Sequence, residues 1–157
     1  MLTNDQRVEL LYSPAVFSEC ERYRYSLMRP VGDRSGTPCL FIMLNPSTAD
    51  SVSLDPTCTR CFHFARDWGH GQLFVANLFA FRATDPINMR HQAHPVDVAG
   101  GGRNDESIQY LAHHVRAKGG VIVCGWGNHG SRQRPLGSRP APAARSRIAL
   151  PQIERER

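Results

Sequence analysis

Cys39-Leu40-Phe41-Ile42-Met43-Leu44 runs without a polar side chain and stops at Asn45-Pro46-Ser47-Thr48. An apolar run of this length, bounded by turn residues, is the pattern of a strand buried on both faces. Proline donates no backbone hydrogen bond, so the strand cannot continue through Pro46. Downstream, Asp55-Pro56 combines a helix cap with proline at the first helical position. Cys58, Cys61, Phe64, Ala65 and Trp68 then recur at helical spacing, and Gly69 and Gly71 stop the helix. Leu73–Asn77 reads as a second buried strand that continues into Leu78-Phe79. Asp85-Pro86 repeats the cap-then-proline signal for a short helical turn, followed by a loop over His91–Arg103. Asn104 is expected to cap a further helix with Ile108, Leu111, Ala112 and Val115 inside. Val121–Cys124 is expected to be a third buried strand, closing at Gly125-Trp126-Gly127. Upstream, Tyr23–Met28 alternates apolar and polar residues, as a half-exposed strand does.

Strand, helix, strand, helix, strand predicts an α/β fold, a three-layer sandwich with a mainly parallel sheet. At 157 residues the chain is long enough for one core, and the single α/β domain is placed over residues 1–130. Residues 131–157 hold four Pro, seven Arg and two Glu without a hydrophobic period, an irregular Arg/Pro-rich tail. That tail carries the whole formal net charge of +5, leaving a neutral body. Neutrality argues against strong nonspecific attraction to nucleic-acid phosphates. Lys118 is the only lysine, which excludes a Walker-type phosphate loop. No apolar run approaches the ~20 residues of a membrane span, and the first residues lack a signal-peptide pattern. Five irregularly spaced cysteines fit reduced thiols, so a cytoplasmic location and no membrane partner are expected.

In an open parallel sheet, ligands bind beyond the carboxyl ends of the strands. Asn45, Asn77 and Trp126 end or follow the three strands, and the adjoining loops add Ser47, Thr48, Asp50, Asp55, Arg82, Asp85 and His129. Arg60 on the first helix and Phe79 at the end of the second strand's continuation complete the candidate set. Amides, carboxylates, an arginine and an indole on one rim suit a flat polar ligand such as a nucleobase or nucleotide. Each Asn or Asp taken alone is explained by turn and cap chemistry; their joint placement is what points to a site. Cys58 and Cys61 form a C-x-x-C without a second ligand pair and lie on the buried stripe, so they read as core thiols, not a metal site. His113-His114 read as a solvated helix face, and Gly100-Gly101-Gly102 as a flexible loop. Neither G-x-S-x-G nor H-E-x-x-H is present, and no cofactor or metal is expected.

The string FIMLNPSTAD-x4-DPT-x2-RC-x2-FA-x2-WG-x-G-x-LFVANLFAFRATDP, then ND and VIVCGWGNHG, resembles the uncharacterised bacterial proteins grouped as domain-of-unknown-function family 1643. The likeness runs from about Tyr23 to Gly130. Its L-N-P ending is, at a further remove, similar to the first motif of the mismatch-specific branch of the uracil-DNA glycosylase superfamily. That similarity implies a uracil-DNA glycosylase-like fold, with Asn45 orienting the hydrolytic water. Asn77 and an aromatic such as Phe79 or Phe81 would then surround the base. The expected function is nucleobase or nucleotide binding with hydrolysis of an N-glycosidic bond, Asp50 or Asp55 assisting and Arg82 contacting phosphate. The alternatives are a non-catalytic nucleotide or nucleic-acid binding module, or an inactive product. Residues 131–157 depart from the resemblance, which implies a further helix, a strand and an H-P-L-Y-L motif there. On that ground the tail reads as frameshifted or truncated, with the fold incomplete at its C-terminus.

Overall fold

The computed structural model describes residues 1–33, 35–85 and 102–127. Their element order is α1 (Asn4–Tyr12), β1 (Ala15–Phe17), β2 (Arg24–Pro30), β3 (Pro38–Met43), α2 (Pro56–Asp67), β4 (Gln72–Asn77), α3 (Arg103–Ala117) and β5 (Val121–Cys124). The protein is α/β, with one five-stranded mixed sheet in the order β1-β2-β4-β3-β5. The three apolar segments read from the sequence do lie side by side and parallel: β3 pairs Cys39 with Leu73 of β4 and with Val121 of β5. The remaining two pairings, β1 with β2 and β2 with β4, are antiparallel, so the sheet is mixed and not mainly parallel. An antiparallel strand needs no crossover helix to announce it, and β2 joins β4 across 41 intervening residues.

Helices cover both faces. On one side Cys58, Cys61 and Ala65 of α2 pack on Leu27, Cys39, Phe41, Leu73 and Val75. On the other, Leu10 of α1 and Leu111 and Val115 of α3 pack on Tyr25, Leu40, Ile42, Phe74 and Ala76. Alternate residues of β3 and β4 therefore serve opposite cores, as the period of two requires.

Asp55 caps α2 as its sequence foretells, its Oδ1 accepting from the Cys58 N–H at 2.8 Å ahead of Pro56. Both long helices end in the same way. Gly69 and Gly119 take positive φ of 77° and 69°, while His70 N–H donates to the Ala65 carbonyl and Gly120 N–H to that of Val115. This is the Schellman ending that glycine permits without strain. Gly120 has a second reason to lack a side chain, because a Cβ there would collide with the Pro38 carbonyl at the start of β3.

Several expectations are corrected. β5 is not a buried strand but the edge of the sheet, and its Val121 and Cys124 are exposed. β4 ends at Asn77 and does not continue into Leu78-Phe79. β2 is not half-exposed, since Arg24, Tyr25, Ser26 and Leu27 are all buried. Its pairing with β1 slips between Val16 and Phe17, which stand opposite Ser26 and Arg24, so the regular alternation breaks there. Asn104 is not the cap of α3, which falls on Gly102 at φ 83°. The helical turn expected from Pro86 onward, most of the loop over 91–103, His129 and the tail over 131–157 lie outside the described residues. No helix among the described residues is long and apolar enough to cross a membrane.

Candidate functional site

β3 is the switch point of the sheet. The chain leaves β3 through α2 on one face to reach β4, then leaves β4 through α3 on the opposite face and crosses to β5 on β3's other side. Loops departing in opposite directions from neighbouring parallel strands leave a crevice between them. A cavity of about 320 Å³ lies there, lined by Met43 at the end of β3, Leu44, Asn45 and Ser47 after it, the α2 start from Asp55 to Cys58, Asn77, Thr84 and Gly125. Arg24 of β2 and Ala83 complete the polar part of the wall.

The polar groups are held in defined senses. Asn45 Nδ2 donates to the Ala83 carbonyl at 2.8 Å and to that of Pro46 at 3.1 Å. Ala83 N–H returns a bond to the Pro46 carbonyl at 2.8 Å, tying the two loops together. With its nitrogen committed, Asn45 is left with Oδ1, an acceptor. Asn77 is held the other way. Arg24 Nη2 donates to its Oδ1 at 3.2 Å, and Asn104 Nδ2 reaches its backbone carbonyl at 3.0 Å and that of Leu78 at 3.2 Å. What remains to Asn77 is its NH2, a donor. Asn104 thus clips the start of α3 to the end of β4, and that role takes the place of the expected cap.

Arg24 is 1% exposed and Asn77 2%. The guanidinium spends Nη1 on the Ala49 carbonyl at 2.9 Å, which also fixes the loop after β3. None of the ion pairs among the described residues involves Arg24. Burial lowers its pKa from the ordinary value, an effect opposed by Cys58 and Asp55 nearby. The Cys58 thiol is pushed up to about 12, chiefly by burial, so at neutral pH it stays protonated and is no nucleophile.

Four of the candidate residues read from the sequence therefore share the cavity: Asn45, Ser47, Asp55 and Asn77. The others are placed elsewhere. Asp50 folds back on its own loop, Oδ1 accepting from Val52 N–H at 2.8 Å and Ser53 N–H at 2.7 Å, and these bonds hold its carboxyl below the usual range. Thr48 is exposed, Arg60 lies on the exposed side of α2, and Asp85 is exposed. Arg82 lies over the Phe17 ring, 4.9 Å from its centroid, and donates to the Glu21 carbonyl at 3.2 Å. Trp126 and Phe81 pack against the core shared with α1 and α3, and Phe79 is half-buried outside the lining. His129 lies outside the described residues.

The sequence reading missed Arg24, Thr57 and Thr84. Arg24 stands at a polar position of the alternating Tyr23–Met28 segment, where solvent exposure is the natural reading. Thr57 does carry a sequence signal, since it follows the Asp55-Pro56 helix start directly. Among the described residues no group of three or more His, Cys, Asp or Glu is placed to hold a metal ion.

The chain has no match among curated proteins and none among solved structures. A family profile matches residues 24–139, which takes in β2 through β5, every lining residue of the cavity and the segment just past the compositional break at 130. On that match the chain belongs to the family described as protein of unknown function (DUF1643).

Proposed function

We propose that the cavity at the β3 switch point binds a nucleobase within a nucleoside or nucleotide and hydrolyses its N-glycosidic bond. The observation that carries the reading is the convergence of Asn45, Asp55 and Asn77 on one cavity with opposite hydrogen-bonding senses. An amide oxygen and an amide NH2 fixed in one small pocket complement the mixed donor–acceptor edge of a base. About 320 Å³ lies at the small end of ligand pockets, in keeping with a compact ligand.

In this reading Asn45 Oδ1 orients a water toward the anomeric carbon. The water oxygen forms the new C–O bond as the C–N bond breaks, and the electron pair leaves with the base nitrogen. The Asp55 carboxylate takes the water's proton, and the departing base is protonated from solvent. Orientation and charge placement do most of such work, with no covalent intermediate required.

A second reading, binding without turnover, draws on one fact: Asp55 is the sole carboxylate lining the cavity among the described residues. Incubating the full chain with oligonucleotides containing deaminated bases, and with free nucleosides, separates the two. Release of free base and alkali-labile abasic sites, falling about 10²-fold or more in Asn45→Ala and Asp55→Asn, supports hydrolysis. Saturable nucleoside binding with no base released supports the second reading. No binding and no product contradict both.

A further inference from the structure

We infer that Arg24 is a specificity-setting positioning residue: by donating to Asn77 Oδ1 it locks that amide with its NH2 as the group offered to the ligand, so the cavity selects a ligand presenting a hydrogen-bond acceptor there. This rests on the nucleobase reading of the cavity and says which edge that pocket accepts.

A guanidinium has donors and no acceptor. Whatever else rearranges, the atom of Asn77 that faces Arg24 must be the oxygen, and the bond is 3.2 Å long. An unsupported carboxamide chooses its flip by the ligand it meets, and reads donors and acceptors alike. Asn77 has no such freedom. Its backbone carbonyl is held by Asn104, its residue sits at the end of a paired strand against Met43, and its Oδ1 is taken. Its Nδ2 has no protein partner among the described residues, although the residue is buried and lines the cavity. That NH2 is open to the cavity and is not among the fully buried unpaired atoms, so a ligand oxygen or ring nitrogen with a lone pair can take its bond. Arg24 is itself fixed by the Ala49 carbonyl at 2.9 Å, so it cannot follow Asn77 if the amide turns. The device is built from a strand residue rather than a loop residue, which makes its geometry stiff.

The test compares binding of keto and amino probes, uridine against cytidine and inosine against adenosine, in the native chain and in Arg24→Met, Arg24→Lys and Asn77→Asp. The native chain is expected to favour the keto probes by about tenfold, the effect of one buried bond left unmade. Arg24→Met should bring the ratio near one, Arg24→Lys should keep most of it, and Asn77→Asp should reverse it, because a carboxylate paired with Arg24 offers only acceptors. A purely structural role for Arg24 weakens both probes alike and leaves the ratio unmoved, and that result in folded Arg24→Met overturns the inference. Should Arg24→Met not fold, Asn77→Asp decides alone, an unreversed ratio counting against. If the native chain binds none of the probes, the nucleobase reading fails. Arg24 is then judged without ligand by the side-chain NH2 resonances of Asn77. A shift of that pair in Arg24→Met that Arg24→Lys largely reverses supports the lock, and a pair unmoved in Arg24→Met overturns it.

Discussion

Asp55 carries two tasks at once, and substitutions separate them. Its Oδ1 caps α2 while its charge borders the cavity. Asparagine caps nearly as well as aspartate, so Asp55→Asn should change unfolding free energy by no more than about 0.5 kcal/mol while removing the carboxylate. Asp55→Ala loses the cap as well and should cost about 0.5–2 kcal/mol. Urea titration of the two variants checks both figures. The cysteines give a second forecast at this scale. Cys20 is exposed and lowered to about 7, chiefly by its hydrogen bond with Ser18, whereas burial raises Cys39 and Cys58 to about 12 and Cys61 to about 11. A maleimide or disulfide reagent near pH 7.5 should label Cys20 fastest, exposed Cys124 more slowly, and the other three only on unfolding. Mass spectrometry of partly labelled protein reads the order directly, and early labelling at Cys58 would contradict the packing of α2.

At the scale of elements, what the sequence disclosed and what it hid follow from the physics of each segment. β3 and β4 were legible because an unbroken apolar run has few homes other than a doubly covered strand. α2 was legible because Asp55-Pro56 starts it and Gly69 ends it. α1 and β1 leave no such mark in the sequence. α1 buries only Leu10, so it shows no apolar stripe, and β1 has three residues, too short for a period. β5 misled because Val121–Cys124 has the composition of a core strand while standing at the edge; only pairing order decides that. The turn between α3 and β5 offers a prediction here. Gly120→Ala forces its Cβ against the Pro38 carbonyl, a backbone atom that cannot yield cheaply, so β3 and β5 should part. A loss of about 1–3 kcal/mol is expected by urea titration, with faster amide exchange in β5 than in β2. α3 supplies the pH dependence. Burial foremost, with Lys118 and His113, lowers the pKa of His114 in the folded protein. Below the ordinary value near 6.5 the unfolded chain then takes up the proton first, so stability falls as pH drops through that value toward the lowered one. The urea midpoint should decrease from pH 8 to pH 5.5, and His114→Gln should flatten that slope.

Over the whole molecule, the candidate site was legible in part for one reason: parallel strands fix where their carboxyl ends lie, whichever residues stand there. That placed Asn45 and Asn77 together, and the loop after β3 brought Ser47 and Asp55. The expected roles of Arg82 and Trp126 rested on the same rim, yet both side chains turn to other neighbours, the Phe17 ring and the core under α3. Chain position sets where a residue begins, and packing sets where its side chain ends. Arg24 shows the converse, a residue from an antiparallel strand read as solvent-facing that fixes the orientation of Asn77. A larger cavity of about 450 Å³ lies by Tyr12, Gln72, His114 and Lys118, toward the opposite end of β4. It lacks the convergence of fixed amides, and it provides an internal control.

The most direct test is a titration of uniformly ¹⁵N-labelled protein with a nucleoside 5′-monophosphate, followed through side-chain and backbone amide resonances. The side-chain NH2 pairs of Asn45 and Asn77 and the backbone amides of Thr57 and Gly125 should shift together on one binding curve. Shifts gathered instead around Tyr12, Gln72 and Lys118, or an unchanged spectrum at saturating ligand, would contradict a ligand site at the β3 switch point.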